Sequence, residues 1–330
     1  MKTTIFGAGA VGGHLAARLG AAGAEVSAVC RGMQLAAIRE RGLTLHIADE
    51  RYHAHIHATD RPETLGPQDL VIVTLKSSVL PETAPGIAAL CGPDTAVVFA
   101  MNGIPWWYLY RAEGKAPPPD LSRLDPVGAL AREVGHERVI GCMINSANEV
   151  IEPGVIKNSP MTKNKFTLGE PDGSMSRRIQ AISAELERWG LEVPITRNIR
   201  VEIWDKLLRN LATSPICALT GEPIGVIGRH PELYETSRAL SREGLAVAHA
   251  HGVAVDDNFL SSYGARPTSL HKSSMLQDFE HVRPPEIDGI LTSVQAFARA
   301  AEVPTPTVDA ITSLVVEKAR KLGLYPTAEW

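Results

Sequence analysis

The run Gly7-Ala8-Gly9-Ala10-Val11-Gly12 constrains this chain more than any other stretch of it. It follows Thr3-Thr4-Ile5-Phe6, which reads as a short buried strand, and opens the Ala/Leu-rich segment Val11–Ala22, which reads as a helix closed by Gly23. Strand, turn and helix in this order need each glycine for a steric reason. The first permits the tight turn, the second lets a ligand approach bare backbone, and the third lets helix lie on strand. The helix start directs free N–H groups and a positive dipole end at the turn, which suits phosphate. In this setting G-x-G-x-x-G reads as a dinucleotide site, with Gly7, Ala8, Gly9, Ala10, Val11 and Gly12 expected to line it.

The rest of the first half continues the pattern. Glu25–Cys30, Leu70–Leu75 and Ala96–Met101 read as further strands of one parallel sheet, with helical patterns between them. Leu43–Ala58 alternates and carries Asp49-Glu50 at its middle, so it reads as a hairpin. The expected fold class is therefore α/β, a doubly wound sheet. Pro105–Pro126, with Pro117-Pro118-Pro119, is an irregular insertion whose Trp106-Trp107-Tyr108 is expected to roof a pocket. Strand signals resume at Arg138–Ile144 and Val155–Ile156, and a helix is expected over Ser174–Trp189.

After Asn198 the texture turns helical. Glu232–His251, Glu286–Val303 and Val308–Leu322 read as helices, the second with Ile287, Ile290, Leu291, Val294, Phe297, Ala298 and Ala301 on one face. The expected division is an α/β domain over 1–197 and an all-helical domain over 198–330, consistent with a length of 330 residues.

Composition narrows the function classes. With 44% hydrophobic and 21% charged residues the chain can bury two cores. A net charge of −4 gives no electrostatic case for nucleic acid. No apolar run approaches the ~20 residues of a membrane span, and Gly7 to Gly13, then His14 and Arg18, interrupt any signal-peptide pattern. Cys30, Cys91, Cys142 and Cys217 are scattered without a CxxC pair, as expected of free thiols in the cytoplasm. His53, His55 and His57 alternate, but with no Asp or Cys completing a ligand set they read as a solvated hairpin face, and no metal is expected. Neither a G-x-S-x-G elbow nor a G-x-x-x-x-G-K-[ST] loop occurs, so hydrolase and triphosphatase chemistry lack support.

The end of the second strand selects the dinucleotide. An NAD site places an acid there, whereas this chain has Arg31, nineteen residues after Gly12. A guanidinium suits a 2′-phosphate and offers no acceptor to a free 2′-hydroxyl, so NADPH is expected. Lys76 and Asn102 follow two further strands and face the same crevice, though a strand cap and a turn residue explain them equally well.

Lys206 and Asn210 lie four residues apart beside the stripe Ile199, Ile203, Leu207 and Leu211. Ser214 would extend that row, but Pro215 argues against a helical Ser214. A lysine beside a core stripe ordinarily reaches for water. Glu286 and Asp288 stand in the first turn of a helix after Pro284-Pro285, where capping explains either.

Three blocks, GAGAVGG, NIRVEIWDKLLRN and SSMLQDFEHVRPPEID, in this order, resemble the ketopantoate reductase (2-dehydropantoate 2-reductase) family, and the likeness spans nearly the whole chain. The resemblance implies an N-terminal Rossmann-type domain, an all-helical second domain and an active site between them. It implies NADPH-dependent reduction of a 2-keto acid, most specifically 2-dehydropantoate to D-pantoate in pantothenate biosynthesis. Lys206 matches the catalytic lysine that protonates the carbonyl oxygen, and Glu286 the acid that anchors substrate, assists Lys206 and borders the cofactor. Asn102, Asn210, Ser214 and Ser274 match substrate-orienting positions. Arg31, Lys76 and Asn102 fall on the cofactor side. Hydride addition builds negative charge on oxygen, which an ammonium stabilises and then protonates. Burial or a neighbouring cation would tune such a lysine downward, and Glu286 would oppose that.

Two positions depart from the pattern: Ser214 stands where many members carry asparagine, and His271 where an amide is frequent. They bear on the substrate, and a dehydrogenase for another branched or aromatic 2-keto acid is the alternative. A nucleotide-sensing protein without turnover is a third reading, against which Lys206 and Glu286 argue. The helical stripes would serve a homodimer as readily as a monomer core.

Overall fold

A computed structural model describes residues 1–159, 163–256 and 268–326. The chain divides into two compact units: residues 1–101, 110–112 and 125–199, and residues 102–109, 113–124 and 200–330.

In the first unit, β1 (Thr3–Phe6) is buried along its whole length. It pairs in parallel with β2 (Val26–Val29) on one side and β6 (Gln68–Val73) on the other. A strand enclosed on both faces has no use for alternation, which is why its sequence is a plain apolar and β-branched run. Between β1 and β2 runs α1 (Ala10–Ala21), and α2 (Gly32–Arg41) leads from β2 into β3 (Leu43–Ile47), β4 (Glu50–Ala54) and β5 (His57–Thr59). Past β6 come α3 (Leu80–Ala88), β7 (Cys91–Ala100), α4 (Ala129–Glu133), β8 (Val139–Asn145), β9 (Asn148–Glu152), β10 (Val155–Asn158), β11 (Lys165–Gly169) and α5 (Arg177–Arg188). The seven-stranded sheet has the order β11-β8-β7-β6-β1-β2-β5, parallel except for β11. The chain winds outward in both directions from β1, so the crevice at the strand ends opens beside it.

The sequence reading anticipated one sheet and a hairpin, and the structure adds a second sheet. The hairpin β3–β4 pairs from Leu43↔Ala54 to Ile47↔Glu50, but β10 joins β3 in parallel and completes the order β4-β3-β10-β9. Small residues on α1 make room for it: a Cβ on Gly13 would lie 2.6 Å from Ile156 Cδ1. Of the three histidines, His53 lies on β4 in this sheet and His57 on β5 in the large one, while the rings of His53 and His55 pack edge-on at 5.0 Å.

His14 on α1 is fully buried, and its Nδ1–H donates to Asn148 Oδ1 at 2.9 Å, leaving Nε2 without a partner. Burial lowers its pKa from 6.5 to about 4, with the Asn148 bond opposing and Arg18 adding to the shift. The unfolded chain therefore binds more protons between these values. Its contribution is complete above pH 6.5 and is lost as pH falls towards 4, about 3 kcal/mol in all. Urea unfolding at pH 7.5 and 5 should show a steeper loss for the native protein than for His14→Phe. Equal losses would remove His14 from the account.

The second unit is helical: α6 (Ile199–Thr220), α7 (Gly225–Arg229), α8 (Pro231–Ala250), α9 (Ser274–Glu280), α10 (Ser293–Ala300) and α11 (Pro306–Lys321). Ile203, Trp204, Leu207, Leu208, Leu211 and Ala212 of α6 are buried, with Leu240, Leu291, Val294 and Phe297 in the same core class. Two findings differ from the sequence reading. First, α6 runs through Pro215 to Thr220, with Leu211, Ile216, Cys217 and Ala218 all buried around the break. Tertiary burial there outweighs the roughly 3 kcal/mol that an interior proline costs. Second, the helix expected from Glu286 starts as a π-helical turn, Asp288–Thr292, before α10.

Asn102–Leu109 and Glu113–Leu124 pack with these helices although they precede them by some eighty residues. The Ile104 amide donates to the Gly289 carbonyl at 2.7 Å. Trp204 Nε1 donates to the Tyr108 hydroxyl at 2.8 Å, and Arg200 donates twice to the Tyr108 carbonyl. A cut at 197/198 does not represent this earlier crossing.

Candidate active site

The glycine run forms the turn its spacing predicts. Gly7 has φ +105°, in the region that favours glycine, and its carbonyl accepts a bond from Thr74 Oγ1 at 2.6 Å. A Cβ on Gly12 would lie 2.0 Å from the Gly7 oxygen and 2.4 Å from Thr74 Oγ1. Around Gly9 a Cβ would meet nothing within 4 Å, so the outer side of the turn is open. Gly9 caps α1 without a side-chain bond, and no acid stands in the first turn. Exposed backbone, unscreened helix N–H groups and space coincide there, which fits a diphosphate.

Arg31 is exposed at the N-cap of α2, directly after β2. Its guanidinium makes no hydrogen bond or ion pair among the described residues. Lys76 follows β6 as the half-buried N-cap of a 3₁₀ turn, Ser77–Val79. Because β2, β1 and β6 are parallel neighbours, Arg31, the glycine turn and Lys76 emerge at one edge of the sheet.

In the helical unit Lys206 and Asn210 are half-buried on α6, and Ser214 is buried on the same row because the helix continues past it. Ser274 opens α9 and is exposed, while Ser273 caps that helix, its Oγ accepting the Leu276 N–H at 3.3 Å. Glu286 is 7% exposed. Asn102 Nδ2 donates to Glu286 Oε2 at 2.9 Å, joining residues 184 apart in sequence.

This pairing depends on the next two residues. Gly103 has φ +71°, and a Cβ there would lie 2.3 Å from the Gly289 oxygen. Only a bare backbone can come that close. The Ile104 amide then completes the attachment of the Asn102 loop to the turn after Glu286.

Trp107 and Tyr108, expected to roof a pocket, are 1% and 3% exposed and belong to the helical core. Tyr108 and Trp204 both pack edge-on against Phe297, each at 5.3 Å between centroids. Burial pushes the Tyr108 hydroxyl up to about 12, so it stays protonated. The cluster links the Asn102 loop, α6 and α10 around one phenyl ring. Trp204, two residues before Lys206, lies outside the stripe Ile199, Ile203, Leu207 and Leu211 that the sequence singled out, yet it is fully buried. Thr74, which braces the glycine turn, had no sequence signal.

Residues 3–173 match the family of ketopantoate reductase PanE/ApbA, and residues 198–319 match its C-terminal region. The chain is 41% identical to a 2-dehydropantoate 2-reductase of Mesorhizobium japonicum, covering 98% of this chain and all of that one. Its fold is similar to the crystal structure of a candidate ketopantoate reductase from Ralstonia solanacearum MolK2, with TM-score 0.88, 34% identity, and 98% and 99% of the two chains covered. A D-mandelate dehydrogenase bound to NADH and anilino(oxo)acetate shares the fold at TM-score 0.83 and 21% identity, over 98% of this chain and 100% of that one.

Proposed function

The chain belongs to the ketopantoate reductase family, and we propose that it reduces 2-dehydropantoate to D-pantoate with NADPH. The observation that supports this most is the Asn102–Glu286 hydrogen bond. It joins two residues that the family resemblance assigns to one site and that no local feature of the sequence connects.

The glycine turn would hold the diphosphate of the cofactor, and Arg31 its 2′-phosphate. When bound, the reduced nicotinamide supplies a hydride to the keto carbon. As the C=O π bond breaks, its electron pair collects on oxygen. The Lys206 ammonium stabilises that charge and then delivers a proton to it, so the product is the neutral hydroxyl. Glu286 accepts a hydrogen bond from the substrate's own hydroxyl, and Asn102 holds the carboxylate in the orientation this requires. Asn210 and Ser274 offer further polar groups to the substrate. Ser214 is buried, which weakens its part in direct binding. The expected homodimer belongs to the same reading.

The alternative, a dehydrogenase for an aromatic 2-keto acid, draws on the likeness to D-mandelate dehydrogenase, which extends to the fold. It loses the support of Trp107 and Tyr108, since both are enclosed in the helical core.

A panel of 2-keto acids assayed by NADPH oxidation tests the choice. Ketopantoate should exceed phenylglyoxylate in kcat/KM by at least about a hundredfold, a difference of roughly 3 kcal/mol in transition-state binding. NADPH should be preferred over NADH. The reverse order of keto acids would establish the alternative.

A further inference from the structure

The π-helical turn after Glu286 has an unusual hydrogen-bond economy. The Ser293 amide donates to the Asp288 carbonyl, five residues back. In α-helical register it would instead go to Gly289, four residues back. The Gly289 carbonyl is thereby left for other donors, and it takes the Ile104 amide at 2.7 Å and Ser293 Oγ at 2.9 Å. Both acceptor positions of that carbonyl are thus filled from outside the helical ladder, and in α register the Ser293 amide would compete with the Ile104 amide for it.

Something must hold the turn in the rarer register, and the contacts converge on Asp288. Its Oδ1 accepts the Tyr325 hydroxyl at 2.6 Å and Thr292 Oγ1 at 2.8 Å. Arg123 Nη1 donates to the same tyrosine oxygen at 2.9 Å, which orients the phenolic proton towards Asp288. Arg123 is itself 3.8 Å from Asp288, but its side chain is 64% exposed. Both residues line a cavity of about 380 Å³ with Asp120, Thr292 and Arg299. So exposed an ion pair is screened, and the hydroxyl bond carries more of the constraint. Burial and Asp288 both raise the Tyr325 pKa, which keeps the hydroxyl a donor.

We propose that Tyr325 is a positioning residue for Glu286: its hydroxyl holds Asp288, Asp288 keeps the turn in π register, and that register keeps Asn102 on the carboxylate. Without the hydroxyl the turn relaxes towards α register, Ser293 recaptures the Gly289 carbonyl, and Ile104 loses its acceptor. The proposal deepens the reading of the site given above and rests on it for the role of Glu286.

The test is Tyr325→Phe, which removes one oxygen and keeps the ring. Turnover with ketopantoate should fall about tenfold, with the KM for NADPH within about twofold. Combined with Glu286→Gln, the second substitution should add less than about a twofold further loss, because both act through one carboxylate. A residue that merely stabilised the fold would multiply its effect instead. Amide exchange at Ile104 should quicken at least about tenfold in Tyr325→Phe without any substrate present.

Native turnover in Tyr325→Phe, multiplicative losses in the double variant, or unchanged protection of Ile104 would each overturn the proposal. Failure of the native protein to reduce ketopantoate would overturn the substrate reading instead, and the exchange measurement would still decide the role of Tyr325.

Discussion

Lys206→Ala should lower kcat for ketopantoate reduction about a thousandfold or more, while NADPH binding and the melting temperature stay near native values. In the proposed mechanism Lys206 supplies both the charge that steadies the developing oxyanion and the proton that neutralises it, and the substitution would remove both. Proton transfer by a positioned side chain is worth roughly 10² to 10⁴ in rate, and a preorganised charge at the oxyanion adds to that. A thousandfold loss corresponds to about 4 kcal/mol of transition-state stabilisation. The fold should tolerate the change: Lys206 is half-buried in the middle of a 22-residue helix, and alanine is the best helix former available. Single-turnover NADPH oxidation read beside a thermal melt makes the measurement. Turnover within tenfold of native would remove Lys206 from the chemistry.

The second large effect is a contrast between neighbouring glycines. Gly12→Ala puts a methyl 2.0 Å from the Gly7 oxygen and 2.4 Å from Thr74 Oγ1, so the backbone of the turn must move. Overpacking usually costs 1–3 kcal/mol, and a clash with backbone cannot be relieved by a rotamer, so at least about 3 kcal/mol is expected. Gly9→Ala meets nothing within 4 Å. It should fold and melt like the native protein but bind NADPH at least about a hundredfold more weakly, because its methyl would stand where the proposed site receives the diphosphate. Thermal melts and fluorescence titration with NADPH separate the two outcomes. Undiminished NADPH binding by Gly9→Ala would place the cofactor elsewhere.

Much of the candidate site could be read from the sequence because its signals are local. Glycine spacing, the arginine after β2 and the i, i+4 relation of Lys206 to Asn210 each depend on a few consecutive residues. The strand Thr3–Phe6 matches its expected bounds, and α1 is displaced by one residue. The errors also share a cause. Pro215 argued locally against a helix that burial carries to Thr220. The aromatic run after Asn102 looked like a pocket wall because its partners, Trp204 and Phe297, are remote in the chain. The second sheet arises because β10 pairs with β3 across more than a hundred residues.

The sequence by itself determined the glycine turn, the alternation of strand and helix that builds the sheet around it, and the helix face carrying Lys206. Each follows from sterics and periodicity within one or two turns of chain. Only the tertiary structure decided that Asn102 reaches Glu286, that the turn between Glu286 and α10 takes π register, and that the Tyr325 hydroxyl reaches Asp288. Hydrogen bonds across 184 and 37 residues leave no local pattern, since their geometry exists only once separate elements have packed against one another.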